Sequence, residues 1–141
     1  MANKIIYTNS DGGVSIVTPA SGVSANSALA AKTVPNGTAY SIVSDSTIPT
    51  DRTFRSAWTK TNDTISINLI KAKDIAINIV RSVALQAIAK SEEQTSLGET
   101  PTHQVDAIRS AHSLVKTEIN SGTTDSEIKS KMTSFNSTYS V

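Results

Sequence analysis

Two arginines, a phenylalanine and the only tryptophan of the chain fall within Ile48-Pro49-Thr50-Asp51-Arg52-Thr53-Phe54-Arg55-Ser56-Ala57-Trp58. Guanidinium groups fork onto carboxylates or stack on aromatic faces, and Arg and Trp are prominent among residues that dominate protein interfaces. If the segment is helical, Phe54 and Trp58 are four apart and Arg52 and Arg55 three apart, so an aromatic pair and a basic pair lie on separate edges of one turn. Two roles follow. In the first, Phe54, Ala57 and Trp58 plug the corner of a small sheet while an Arg pairs with Asp51 or Asp45, or stacks on a ring. In the second, Arg52, Arg55 and Trp58 dock another protein. The packing role has the greater weight, because clustered aromatics in an aromatic-poor chain usually serve a core. Anion binding by the two arginines is a third, lesser reading.

Other groups offer less chemistry. His103 and His112 are nine apart, which fits neither the i, i+4 pair of a helical metal site nor a common zinc spacing. Ser, His and Asp are all present, but no glycine pattern of a nucleophile elbow surrounds any serine. Asp11-Gly12-Gly13 precedes a strand and lacks the Lys-Ser/Thr pair of a phosphate loop. Glu92-Glu93 and Lys71-Ala72-Lys73-Asp74 read as solvated charge, although two lysines near a helix N-terminus oppose its dipole. No catalytic, cofactor-binding or metal-binding residue is expected, and no cofactor.

Composition narrows the class. The 141 residues carry a net charge of +1 with both signs mixed throughout, so a nucleic-acid partner is not expected. Cysteine is absent, which removes disulfides and thiolate chemistry. No segment reaches the roughly 20 apolar residues of a membrane span, and the start does not read as a signal peptide. Aromatics make up only 4%, so the core must come from Ile, Val, Leu and Ala. Such a chain buries little area alone, and self-association or a partner is expected to supplement it.

The elements that must position these residues follow from periodicity. Lys4–Asn9 and Val14–Thr18 read as a β-hairpin around Ser10-Asp11-Gly12-Gly13. A short Ala-rich helix over Ala25–Lys32 ends at Val34-Pro35-Asn36-Gly37. Thr38–Ser44 reads as a third strand. In the Pro49 segment, Thr50 or Asp51 is expected to cap one or two helical turns through Trp58. A fourth strand covers Thr64–Leu69. After Lys71 the period changes from two to about 3.6. The fold class is therefore α+β: a small antiparallel β-sheet head over residues 1–70, then a helical hairpin or three-helix region over 71–141, with helices at about 71–97, 102–120 and 124–136. In the first helix Ala72, Ile75, Ala76, Ile79, Val80, Val83, Ala84, Ala87 and Ile88 form an arc wide enough for burial on more than one side. The second shows a narrow seam of Val105, Ile108, His112, Val115 and Ile119, where His112 is expected to set register or to meet a partner side chain. The third places Ile128, Met132 and Phe135 on one face, and Asn136–Val141 reads as a polar tail.

The succession Ile6-Tyr7-x-Asn9-x-Asp11-Gly12-Gly13-Val14-x-Ile16-Val17-x-Pro19, Val34-Pro35-x-Gly37, Tyr40-x-Ile42-Val43, Ile48-Pro49-x-Asp51-Arg52-x-Phe54-Arg55-x-Ala57-Trp58 and Lys71-Ala72-Lys73-Asp74-Ile75 resembles a family of small tailed-bacteriophage proteins. The resemblance covers about the first 90 residues and is most specific at Asp-Arg-x-Phe-Arg-x-Ala-Trp. It implies a phage-encoded protein from among virion and tail-fibre genes with no established catalytic activity. The expected function is a non-enzymatic structural component of the virion, made in the bacterial host cytoplasm and attached to tail, tail fibre or capsid through its helices. Its partners would be other virion proteins and further copies of itself. The alternative is a tail-fibre assembly chaperone that leaves before the particle matures.

Overall fold

The computed structural model describes residues 3–141, and the chain divides into two compact units, with the division in sequence between Asn68 and Leu69. The class is α+β.

The first unit opens with a hairpin of β1 (Asn3–Thr8) and β2 (Val14–Val17), whose register pairs Thr8 with Val14 and Ile6 with Ile16. Its turn is held by one side chain: Asn9 Oδ1 accepts from the Asp11 and Gly13 N–H groups at 3.1 and 3.0 Å. Gly12 adopts φ 81°, a left-handed conformation that its missing Cβ permits. Helix α1 (Ser27–Thr33) follows, with the Asn26 side chain accepting from the Leu29 N–H as an N-cap. Strand β3 (Tyr40–Ser44) returns to the other edge of β1, giving the antiparallel order β2-β1-β3.

The Pro49 segment departs from the expected helix. Asp51 Oδ1 accepts from the Thr53 N–H at 3.0 Å and the Thr53 hydroxyl at 2.6 Å, an Asx-type turn that competes with helical bonding. Only a single 3₁₀ turn forms, Arg55–Ala57, and Trp58 opens β4 (Trp58–Thr61). That strand pairs with β5 (Thr64–Ile67) through a tight turn in which Asn62 takes φ 53°. The head thus contains two sheets rather than one, and the fourth expected strand ends at Ile67. The Asn68 N–H donates to the Ala57 carbonyl at 2.7 Å. Ile6, Val14, Val43, Ile48 and Trp58 form the core, flanked by half-buried Ile16, Ile65 and Ile67.

The second unit is a three-helix bundle of α2 (Leu69–Ser96), α3 (Val105–Ser121) and α4 (Asp125–Tyr139), each packed on the other two. Helix α2 buries Ala72, Ala76, Val80, Ala84, Ala87 and Ser91, a mostly four-residue repeat of small side chains. Ile75, Ile79, Val83 and Ile88 flank that ridge half-buried, so the wide apolar arc is covered at its centre and partly open at its sides. Gly98 at φ 77° ends the helix, and the Glu99 N–H donates back to the Gln94 carbonyl at 2.8 Å. Thr124 caps α4 by accepting from the Glu127 N–H, while the Glu127 carboxylate accepts from the Thr123 N–H. The polar tail expected from Asn136 is helical to Tyr139, because Tyr139 stacks on Phe135 and His103, each at 4.8 Å between ring centroids. Among the described residues no helix is long and apolar enough to cross a membrane.

Candidate functional site: an arginine–tryptophan joint

Trp58 is fully buried where the 3₁₀ turn becomes β4. Both arginines face its ring, with the guanidinium carbon of Arg55 4.5 Å and that of Arg52 5.7 Å from the ring centroid. Each contact sits in the range where the ring quadrupole attracts a cation, about 0.5–1 kcal/mol when exposed and more when desolvated. Arg55 Nη2 also donates to the Val14 carbonyl at 2.7 Å. One half-buried guanidinium therefore ties the first hairpin to the indole. Burial, and then the neighbouring charge of Arg52, push the Arg55 pKa below its ordinary value. Phe54 is buried, and Arg52 is exposed. The four residues Arg52, Phe54, Arg55 and Trp58 thus come together at one corner, with the arginines on the ring rather than on separate edges. The anticipated Asp45 partner serves Lys4 instead, at 3.3 Å. The Trp58 Nε1 is buried without a hydrogen-bond partner among the described residues.

Beside this joint lies an open groove of about 460 Å³, with Lys4, Asp45, Ile48, Pro49, Arg52 and Arg55 on its walls. Its polar groups are three cations, one carboxylate and the hydroxyls of Thr18 and Thr50. Sequence reasoning did not locate it, because Lys4 and Asp45 reach it from β1 and from the turn after β3.

The helix seam lies in the second unit. Ile108, Val115 and Ile119 are buried, whereas Val105 and His112 are half-buried. The His112 ring sits 6.3 Å from that of Phe135, and its Nε2 is buried without a hydrogen-bond partner among the described residues. Burial, then the charges of Lys116 and Arg81, lower the His112 pKa. Lys73, expected to be solvated, donates to the Asn120 carbonyl at 2.9 Å. This places a cation near the C-terminal end of α3, where the helix dipole favours it. Among the described residues no three His, Cys, Asp or Glu side chains are grouped to hold a metal ion.

No protein-family model, no curated protein and no solved structure matches this chain.

Proposed function

We propose that the protein is a non-enzymatic structural component of a tailed-phage particle, joined to tail, tail-fibre or capsid proteins through its helices. The observation that carries the reading is the joint itself. The most specific stretch of the resemblance, Asp51–Trp58, is linked to the Asp11-Gly12-Gly13-Val14 stretch by the bond from Arg55 to the Val14 carbonyl. Their side chains make packing and positioning contacts, so the motif works as a scaffold. Contact area for partners is supplied by Ile70 and Leu85 on α2, Leu97 just beyond it and Leu114 on α3, all more than half exposed. The protein resides in the virion and also associates with its own copies there.

Quantitative mass spectrometry of purified, mature particles tests this reading. An integer copy number relative to the major capsid and tail proteins is expected. Absence from mature particles, with presence in assembling ones, would overturn it in favour of a fibre-assembly chaperone.

A further inference from the structure

We propose that the groove beside the joint is a docking site for an acidic peptide segment, in which a partner carboxylate is gripped by Arg52, Arg55 and Lys4 and an adjoining aliphatic side chain rests on Ile48 and Pro49. The inference rests on the assembly reading above and names the chemistry of the partner.

Three cations and one carboxylate, Asp45, line the groove. Asp45 holds Lys4 at 3.3 Å, which leaves the two guanidinium groups as the main unmatched charge on the walls. They are already oriented: Arg55 by its bond to Val14 and its stack on Trp58, Arg52 by the same ring. Holding two like charges on one indole costs energy that an incoming anion relieves. A guanidinium matches a carboxylate through two parallel N–H donors, and a preorganised fork loses little entropy on binding. The anion is peptide-borne rather than a phosphate chain for two reasons. The groove is a single pocket rather than a basic strip, and its apolar wall has no use for a phosphodiester. Asp45 on the rim further penalises a densely charged polyanion, and the chain as a whole is only +1.

The test follows the Arg Nε–H signals of the full chain by NMR while the blocked peptide acetyl-Ala-Leu-Asp-Leu-Ala-amide is added. Saturable shifts at Arg52 and Arg55 are expected, with none from the same peptide carrying Asn in place of Asp. Arg52→Gln, at an exposed position, should weaken the apparent affinity about tenfold, the effect of losing one charge-assisted pair, while the backbone spectrum stays folded. Lys4→Gln should weaken it by less. Equal shifts from the amide peptide, equally strong shifts from inorganic phosphate alone, or no saturable shift would each overturn the proposal. Because the titration uses the isolated chain, it can fail while the particle census succeeds, and the reverse.

Discussion

In residues 3–68 the fully buried Trp58 is the largest side chain of a cluster with Ile6, Val14, Val43 and Ile48, whereas residues 69–141 spread their burial along three helices in increments of Ala, Val and Ile, joined by Met132 and Phe135 on α4. The difference follows from composition. A chain with 4% aromatic residues can build most of a bundle from small aliphatic side chains, with Phe135 as its buried ring, because alanines let helices approach closely and close packing supplies many weak contacts. Short twisted strands leave a deeper gap, and here Trp58 fills it. The head therefore concentrates its stability in one residue and the groups around it, and the bundle distributes its own.

The sharpest break in that comparison is Trp58→Ala. It should cost about 3–5 kcal/mol, the range for a large aromatic truncation, and expose the amides of β1 and β3 to hydrogen exchange. Protection of those amides, measured residue by residue, checks it. In the bundle, Ile119→Ala removes a fully buried side chain from the α3 seam, at a cost of about 3 kcal/mol. Its readout is the urea midpoint of the helical ellipticity at 222 nm, and retained cooperativity there is the mark of distributed packing. The smallest effect concerns His112. Its folded pKa lies below the ordinary value of about 6.5, so as pH falls through that value the unfolded chain takes up the proton first. Bundle stability is then expected to decline below pH of about 6.5 and to level off once folded His112 is itself protonated. Comparing urea midpoints across that range in wild type and His112→Gln should show a flatter profile in the variant. The groups acting on the ring are Phe135 from α4, Arg81 from α2 and Lys116 from its own helix.

Much of the α+β fold was legible because local rules and tertiary packing agree. Gly12 in the first turn, Thr124 and Gly98 at helix ends, and the three-four spacing from Val105 to Ile119 all work within a few residues of themselves. The Pro49 segment was misread because two local signals conflict. The i, i+4 spacing of Phe54 and Trp58 suggests a helix, but Asp51 binds its own neighbour Thr53 and β5 recruits Trp58 into a strand. The alternation Trp58-Thr59-Lys60-Thr61 before Asn62-Asp63 was the available sign of β4. The partners of Arg55, Lys4 and Lys73 were not legible, since Val14, Asp45 and Asn120 become neighbours only through the fold. The same holds for the stack of His103, Phe135 and Tyr139, which joins the loop before α3 to the end of α4.

The central claim, that the arginine–tryptophan cluster is a structural joint, is tested most directly by Arg55→Met. This variant keeps the aliphatic stem but removes both the bond to Val14 and the stacked charge. As Trp58 is the chain's only tryptophan, its emission reports this corner alone. The account predicts a red-shifted emission and a loss of about 1.5–3 kcal/mol in the fluorescence-detected urea transition, the cost of a charge-assisted hydrogen bond. Emission and midpoint unchanged from wild type would contradict it.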